Sequence, residues 1–290
     1  MLYGVAAYVL WGVFPGYFLA LRPASPWEIL GHRILWSLLA CLALLAVQRR
    51  LGQLRDLLRE PAQLLAATVA GALISVNWLT YLVAVTTGRI TEGALGYFLT
   101  PLVSIALGLA LLGERLRRLQ AVAAGVGLLG AAYLAIAART PSWIAATLAC
   151  SFGLYGLVKK RVRLGPVLGL TVETAVLAPA AALLLWLSPA GTTFADRGLG
   201  HAGLLAGLGV ITAAPLILFA VAARRVTLVV LGLLQFIAPV LQFVFGLAVG
   251  EAMSLHRWVG FAIVWVALCI LVIDMRSLRR TPGLALDPPT

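Results

Sequence analysis

Charged side chains are scarce in this sequence. Asp, Glu, Lys and Arg together make up 11% of its 290 residues, whereas a soluble domain typically contains about 25%. A folded soluble protein carries most of its charged side chains on the surface that faces water. This chain has too few of them for such a surface, so the composition excludes an ordinary soluble domain.

Sequence signatures of catalysis and metal binding are also lacking. The three cysteines, Cys41, Cys150 and Cys269, fall inside apolar segments without the spacing of metal ligands, and we expect small buried hydrophobic residues there. The sequence has no His-Glu-x-x-His, no nucleophile elbow and no Gly-rich phosphate loop. It therefore predicts neither catalytic residues nor a metal or cofactor, and we expect a protein that is not an enzyme.

Long apolar runs make up most of what is present. Hydrophobic residues account for 62% of the chain, and runs of about 17 to 24 residues can cross a hydrocarbon core of about 30 Å. They are too long for the strands of a membrane barrel, which span about 10 residues. The sequence predicts an all-α integral membrane protein with ten transmembrane helices. These are expected at 2–22, 27–48, 63–86, 91–112, 119–138, 142–158, 166–188, 202–223, 227–249 and 257–275.

The distribution of basic residues predicts the orientation of the chain. Of the 22 Lys and Arg residues, 16 fall in one set of alternate loops, Lys159 among them, and 5 fall in the other set. Cytoplasmic loops are enriched in Lys and Arg, so both termini are expected in the cytoplasm, with 277–290 as a disordered tail. Because the basic residues form short clusters between spans, we expect no nucleic-acid binding. The tryptophans expected at the outer interface are Trp27, Trp143, Trp186 and Trp258.

A similar sequence occurs twice, in the fourth and ninth predicted spans. "YFLTPLVSIALGLALLGERLRR" and "QFIAPVLQFVFGLAVGEAMSLHR" share a proline, a Gly-Leu-Ala string and a Gly-Glu pair in the same order. Aligning Pro101 with Pro239 places one Gly-Leu-Ala string on the other. The copies lie five helices apart, and an odd number inverts the second copy in the membrane. We therefore expect two inverted repeats, at 1–140 and 141–276, as in many secondary transporters.

The first and sixth predicted spans extend this repeat. "WGVFP" at 11–15 aligns with "FGLYG" at 152–156. A proline removes a helical hydrogen bond, so Pro15, Pro101 and Pro239 are candidate hinges for a movement that opens a central site to each side in turn. A static kink is the alternative for each of these prolines.

Several segments resemble a known transporter family. They are "AAYVLWGVFPGYF" (6–18), "EILGHRILWS" (28–37), "NWLTYLVAV" (77–85), "EGALGYFLTPLVSIALGLALLGERLRRLQ" (92–120), "SFGLYGLVKK" (151–160) and "LGLLQFIAPVLQFV" (231–244). On these segments the chain resembles the drug/metabolite transporter superfamily with EamA-type repeats, over nearly its whole length. The resemblance implies a ten-helix permease in the inner or plasma membrane of a bacterium.

Ionisable side chains inside the spans are candidates for a solute site. Arg33 lies about 9 Å below the outer boundary, and a charge at a helix centre costs about 2.5–3.5 kcal/mol on insertion scales. In the repeat alignment it falls on Glu173, a charge of opposite sign that enters from the other side. We expect both to line a central cavity and to bracket a polar or zwitterionic solute. The alternative is neutralisation by local partners, such as His32 or Glu28 for Arg33, although Glu28 lies near the boundary and is expected to reach water.

A coupling ion is not determined by the sequence. His32 is a candidate proton switch near neutral pH, and a hydrogen-bonded packing residue is the alternative. The predicted first span, 2–22, contains no acidic residue, whereas the small multidrug-resistance relatives in the same superfamily carry their proton-coupling carboxylate there. Proton coupling through Glu173 or His32 and facilitated diffusion are therefore both left open.

Aromatic and amide side chains complete the predicted cavity. Amides deep in a span, such as Asn77 and Gln235, need partners and are expected to face inward. The full set predicted to line the cavity is Tyr8, Trp11, His32, Arg33, Trp36, Asn77, Trp78, Tyr81, Tyr97, Phe98, Tyr155, Glu173, Gln235 and Phe236. Small residues four apart in the fifth span, Ala123, Gly127 and Ala131, are typical of close helix packing, so a monomer and a homodimer are both considered.

These features predict a secondary transporter. We expect a permease or exporter that moves a small organic solute, such as an amino acid, metabolite or drug, across the bilayer by alternating access. Two alternatives remain open at this stage. One is a membrane-embedded lipid-modifying enzyme, for which Glu28 and His32 are the only acid–base pair, and the other is a non-transporting membrane receptor.

Overall fold

The computed structural model describes residues 1–87, 89–137, 142–187, 192–248 and 255–280, and every regular element within these ranges is a helix. The helices are α1 (Leu2–Ala20), α2 (Pro26–Val47), α3 (Gly52–Leu57), α4 (Pro61–Thr86), α5 (Ile90–Leu112), α6 (Arg118–Ala137), α7 (Trp143–Arg161), α8 (Pro166–Trp186), α9 (Gly198–Ala223), α10 (Leu228–Leu234), α11 (Ile237–Ala248) and α12 (Leu255–Arg280). The described chain is all-α, as predicted.

Several of these helices are suited to a bilayer. Six of them, α1, α2, α4, α5, α8 and α9, are long and apolar enough to cross a membrane, and shorter apolar stretches lie in α6, in α10 with α11, and in α12. Each crossing helix pairs its own backbone N–H and C=O groups, because hydrocarbon offers them no hydrogen-bond partners. The chain is therefore an all-α membrane protein, and the count of ten spans stays a prediction.

The ninth predicted span is not one helix. A turn at Gln235 and Phe236 separates α10 from α11. Pro239 has no N–H to donate to the carbonyl of Gln235 four residues earlier, and its ring crowds that carbonyl. The prediction of a continuous helix over 227–249 was therefore wrong, because the chain turns just ahead of the proline.

Three further boundaries differ from the predicted ones. The short helix α3 lies within the loop predicted after the second span. Helix α7 continues to Arg161, so Lys159, counted among the loop charges, lies in a helix and is only 6% exposed. Helix α12 continues to Arg280, into the predicted tail, while 281–290 lie outside the described residues.

The cysteines divide into two groups. Cys41 is buried, as predicted, whereas Cys150 and Cys269 are exposed on the faces of α7 and α12. The prediction of burial was wrong for these two residues. A small apolar thiol on the outer face of a membrane helix contacts lipid hydrocarbon instead of water. Its position outside the protein core therefore costs little free energy.

The end of α5 is tied to the start of α10. Gly113 follows α5 with a φ of 62°, the left-handed conformation that favours glycine. The carboxylate of Glu114 accepts the backbone N–H groups of Leu228 at 2.8 Å and Val229 at 2.9 Å, and Lys160 Nζ lies 3.5 Å from it. A negative charge is favoured at a helix N-terminus, so the Gly-Glu pair seen in the sequence stabilises this junction.

Helix pairings recur between the two halves of the chain. Helix α1 packs against α9 and α11, and α7 packs against α4 and α5. An added Cβ at Gly12 would lie 2.6 Å from the side chain of Leu241, and one at Gly153 would lie 2.7 Å from that of Val103. Both glycines therefore permit a close helix approach. In the repeat alignment Gly12 falls on Gly153 and Val103 falls on Leu241.

Candidate functional site

Arg33 lies in α2 where this helix packs against α9. Its Nε donates to Thr212 Oγ1 at 2.9 Å, and its guanidinium carbon lies 4.4 Å from the centre of the Trp78 ring. Arg33 is partly exposed, and among the described residues no carboxylate oxygen lies within 4.0 Å of its guanidinium. The structure does not support the alternative, neutralisation by Glu28 or His32, since Arg33 contacts a hydroxyl and a ring face instead.

Two tyrosines extend the surroundings of Arg33. The rings of Tyr81 in α4 and Tyr97 in α5 have centroids 5.7 Å apart, and both side chains lie near Arg33. Trp78 precedes Tyr81 by about one turn of α4. The guanidinium is therefore bounded by aromatic rings from α4 and α5 and by a hydroxyl from α9, and its other N–H groups can bind a carboxylate in bidentate fashion.

A glycine brings α9 close enough to α2 to place this hydroxyl. An added Cβ at Gly209 would clash with the backbone carbonyl of Trp36. The Ser37 hydroxyl donates to the carbonyl of Arg33 at 2.6 Å and lies 3.3 Å from the carbonyl of Gly209. Gly209 thus permits the close approach of the two backbones, and Thr212 comes within hydrogen-bond distance of Arg33 as a result.

Glu173 has a different environment from Arg33. Lys159 Nζ lies 2.5 Å from its Oε1, and the Tyr155 hydroxyl donates to its Oε2 at 3.1 Å. Glu173 is 1% exposed and Lys159 is 6% exposed. Tyr155 and Lys159 lie four residues apart on α7 and so share a face. Each carboxylate oxygen therefore has a protein partner, and the structure does not bring Glu173 into contact with Arg33.

Five aromatic rings pack together beside this ion pair. They are Tyr8 and Trp11 from α1, Phe152 and Tyr155 from α7, and Phe219 from α9, with neighbouring centroids 5.4–6.2 Å apart. The hydroxyl of Tyr8 is buried and has no hydrogen-bond partner among the described residues. Three of the predicted cavity residues thus meet here, at the junction of α1, α7 and α9.

A second polar cluster lies at the N-terminal end of α2. Glu28 is 1% exposed, and its Oε1 accepts the backbone N–H of Thr193 at 2.5 Å. The Thr193 hydroxyl lies 3.1 Å from each oxygen of this carboxylate and 2.7 Å from Nε2 of His201 in α9. The expectation that Glu28 reaches water was wrong, because residues around Thr193 cover it.

His32 joins this cluster one turn further along α2. Its Nδ1 accepts the indole N–H of Trp36 at 3.2 Å, and its ring stacks on Phe194 with centroids 4.9 Å apart. The buried Nε2 lies 3.9 Å from Glu28 Oε1 and has no hydrogen-bond partner among the described residues. His32 and Trp36, both predicted to line the cavity, therefore contact each other and the segment that precedes α9.

Asn77 and Phe98 lie in tighter packing. Asn77 is buried, and its Nδ2 donates to the carbonyl of Leu148 and to the hydroxyl of Ser151, each at 3.1 Å. Phe98 is buried as well. The inward orientation expected for Asn77 is present, and its amide N–H groups are used to join α4 to α7.

Gln235 and Phe236 occupy the buried turn between α10 and α11. Phe236 packs on α6, since an added Cβ at Gly127 would lie 2.9 Å from its ring. The small side chain at this position, noted in the sequence, thus accommodates a ring from the second half of the chain.

The three candidate hinge prolines differ in their surroundings. Helices α1 and α5 continue through Pro15 and Pro101, whereas Pro239 lies in the first turn of α11, just after the turn at 235–236. A break in the helix therefore accompanies one of the three prolines, and their role as hinges stays a prediction.

Comparisons with known proteins agree with this architecture. A family model described as the EamA-like transporter family matches residues 1–136. Protein RarD of Streptomyces exfoliatus is 49% identical over 286 residues, which cover 97% of this chain and 90% of that protein. This chain belongs to the EamA-like transporter family. The predicted resemblance to EamA-type members of the drug/metabolite transporter superfamily is confirmed.

Other proteins similar to this EamA-like transporter have related names. Protein RarD of Escherichia coli is 36% identical over 291 residues, covering 97% of this chain and 96% of that protein. An uncharacterized transporter of Bacillus subtilis is 38% identical over 289 residues, covering 97% and 95%. A crystal structure 20% identical in sequence matches with a TM-score of 0.70, covering 95% of this chain and 98% of that chain, and shows the same fold. The chain is thus a multi-pass bacterial membrane transporter.

Some residues that shape the sites of this EamA-like transporter were missed in the sequence. His201 and Thr212 lie about three turns apart on α9 and share a face, a polar spacing within a span that could have identified them. Lys159 follows Tyr155 by four residues. This spacing would have placed both side chains on one helix face if the predicted span had been extended beyond 158. Thr193 carries no such signal, because its contact with Glu28 depends on how the segment before α9 folds back.

Proposed function

We propose that this EamA-like transporter is a secondary transporter that moves a small organic solute bearing a carboxylate, with Arg33 as the group that binds this anion. The observation that carries the proposal is a guanidinium inside a membrane span, partly exposed and without a carboxylate within 4.0 Å among the described residues. A charge at such a depth costs about 2.5–3.5 kcal/mol. A solute carboxylate would offset that cost whenever it is bound.

The surroundings of Arg33 suit an amphipathic solute. A carboxylate can accept two parallel hydrogen bonds from a guanidinium, while the rings of Trp78, Tyr81 and Tyr97 offer apolar and aromatic contact. Glu173 already binds Lys159 and the Tyr155 hydroxyl. Arg33 alone is therefore proposed to bind the charge of the solute, and Glu173 is no longer proposed to bind the opposite charge of a zwitterion.

Alternating access between two inverted repeats is the proposed mechanism. It is supported by the equivalent helix pairings, by the aligned contacts of Gly12 with Leu241 and Gly153 with Val103, and by a family model that ends at residue 136, close to the predicted repeat boundary at 140. Two similar halves can exchange conformations and expose one site to each side in turn. Pro15, Pro101 and Pro239 are the proposed hinges.

The proposed orientation places both termini in the cytoplasm. The basic residues support it, and so does the exposure of the four tryptophans expected at the outer interface, which ranges from 38% to 81%. Indole rings favour the interface because one edge is polar and the body is apolar. Solute export and uptake are both compatible with this orientation, as are a monomer and a homodimer.

Transport by proteoliposomes tests the proposal. We would measure uptake of labelled aromatic amino acids, aromatic carboxylates, aromatic amines and chloramphenicol, with and without a pH gradient. Arg33→Gln should weaken transport of the carboxylates by about 10- to 100-fold, the range for loss of a charge-assisted hydrogen bond. Arg33→Lys should give a smaller loss, since it keeps the charge without the bidentate geometry.

The matched control is Arg197→Gln, which changes an exposed arginine in the segment before α9. It should leave transport unchanged, and gel filtration should show folded protein for all three variants. Full carboxylate transport by Arg33→Gln would contradict the proposal, as would an equal loss for amines and carboxylates.

A further inference from the structure

Three titratable side chains meet near the N-terminal end of α2, away from the contacts of Arg33. Glu28 and His32 lie four residues apart on α2, and His201 comes from α9. Thr193 connects Glu28 with His201, since its hydroxyl lies 3.1 Å from both Glu28 oxygens and 2.7 Å from His201 Nε2. Glu28 and His32 are 1% and 8% exposed, so these two side chains are shielded from bulk water, whereas His201 is partly exposed.

The hydrogen bond to Trp36 determines which nitrogen of His32 carries the proton. The indole N–H can only donate, so His32 Nδ1 must be the unprotonated acceptor at 3.2 Å. The proton of the neutral ring is then on Nε2, which lies 3.9 Å from Glu28 Oε1 and has no hydrogen-bond partner among the described residues. The ring is therefore held by Trp36 on one edge and has an unused donor on the other, facing a carboxylate.

We propose that Glu28, His32 and His201 form a proton-binding site in which His32 exchanges its bond with Trp36 for a bond with Glu28. The second proton of His32 must bind Nδ1, where the Trp36 indole N–H points. Two N–H donors cannot share that position, so proton binding breaks this bond. The resulting imidazolium then donates Nε2–H to Glu28 as a charge-assisted hydrogen bond, and the Trp36 indole is released.

Among the charged and titratable groups around His32, the Glu28 carboxylate is the one that attracts a proton to its ring. Glu28 faces it from α2 and His201 from α9, while Asp196 and Arg197 in the segment before α9 are exposed. From α8, which also packs on α2, the ionisable residue is Glu173, and Lys159 already binds it. One carboxylate thus faces two imidazoles, and one added proton completes an ion pair. Among the described residues, no group of three or more His, Cys, Asp or Glu side chains is placed to hold a metal ion.

Release of Trp36 would act on the solute site. The backbone carbonyl of Trp36 lies against Gly209 of α9, and Ser37 and Arg33 bind α9 on the adjoining turn. Proton binding would therefore alter the α2–α9 contact on which the Arg33 bond to Thr212 depends. This coupling rests on the proposed function, whereas the proton-binding site itself does not.

The experiment is a pH titration of the purified full-length protein in detergent with EDTA and no solute. The 15N signals of labelled histidine report protonation of Nδ1, and the signal that disappears in His32→Gln belongs to His32. The part of the tryptophan fluorescence that disappears in Trp36→Phe reports Trp36. We expect His32 Nδ1 to become protonated as the pH falls and the Trp36 signal to change with the same midpoint. Glu28→Gln should lower that midpoint by about 1 to 3 pH units, because it removes the neighbouring negative charge.

Two controls separate this site from other groups. His256→Gln changes the remaining histidine and Trp186→Phe changes an indole that is 81% exposed, and neither should move the midpoint. A His32 that stays neutral down to pH 5, a Trp36 signal that does not follow it, or a midpoint indifferent to Glu28→Gln would overturn the proposal. None of these outcomes depends on transport, so the Arg33 experiment can fail while the proton-binding site stands, or the reverse.

Discussion

Arg33 and Glu173 occupy aligned positions in the two halves of the chain, but the protein holds them in different ways. Arg33 bonds to one neutral hydroxyl, that of Thr212, and lies against the face of Trp78. Glu173 binds an ammonium group at 2.5 Å and a phenol at 3.1 Å, and both of its oxygens are used. Arg33 therefore keeps N–H groups that can bind another partner, whereas the charge of Glu173 is neutralised by Lys159.

This difference shows how one repeat can carry recognition while the other carries structure. A buried ion pair needs both partners, because either charge alone would remain desolvated. An arginine on a ring face with an accessible end can instead exchange partners, since the cation–π contact persists when an anion arrives. The two aligned charges are thus expected to respond differently to mutation, and the following predictions test that difference.

The largest effect is expected from Lys159→Met. It leaves the Glu173 carboxylate buried and unpaired, which should destabilise the protein by about 3–5 kcal/mol. The measurement is thermal unfolding of purified protein in detergent, followed by the folded fraction in gel filtration. Arg163→Met, at an exposed position nearby, is the control and should have little effect.

The double variant Lys159→Met/Glu173→Gln sharpens this test. It removes both charges, so its loss of stability should be well below the sum of the losses in the two single variants. A double-mutant cycle measures this difference. Additive losses would mean that Lys159 and Glu173 do not act as a pair, and the contrast with Arg33 would then be lost.

A smaller effect is expected from Thr212→Val. The variant removes the acceptor of Arg33 Nε and should weaken carboxylate transport by about 5- to 10-fold, the range for one hydrogen bond of about 1 to 1.5 kcal/mol. Thr174→Val is a matched control, since the Thr174 hydroxyl bonds only to carbonyls of its own helix. If both valine variants transport equally well, Thr212 does not position Arg33.

The smallest effect concerns a partly exposed ion pair, Arg89 with Glu92, before the membrane-spanning part of α5. Hydrogen bonds from Arg89 and then from Ser142 lower the pKa of Glu92. A lowered folded-state pKa contributes stability above the unfolded pKa of about 4.3, and this is lost as the pH falls through the folded value. Thermal unfolding of Glu92→Gln should therefore differ slightly from the unmodified protein at pH 7 and match it at acidic pH. A difference that persists in acid would contradict this assignment.

Parts of this structure follow directly from local sequence. The apolar runs predicted the helices of the bilayer, and the starts predicted at 27 and 166 lie within one residue of the observed starts of α2 and α8 at Pro26 and Pro166. The turn at Gln235 was missed because a proline inside an apolar run predicts a kink and a break equally well. The helical extension to Lys159 was missed because a lysine after an apolar run is typical of a loop. The buried carboxylate of Glu173, which binds Lys159, is not visible from the local sequence.

The sequence by itself determined the all-α membrane class and the family of this protein, because run lengths and motif strings are local properties of the chain. Only the tertiary structure decided which charge is free and which is bound. The partner of Arg33 lies 179 positions away and that of Glu28 lies 165 positions away, and no local pattern encodes such distances. In hydrocarbon a polar group needs a partner inside the protein, so helix packing creates the surroundings of Arg33 and of Glu28, where we propose that a solute and a proton bind.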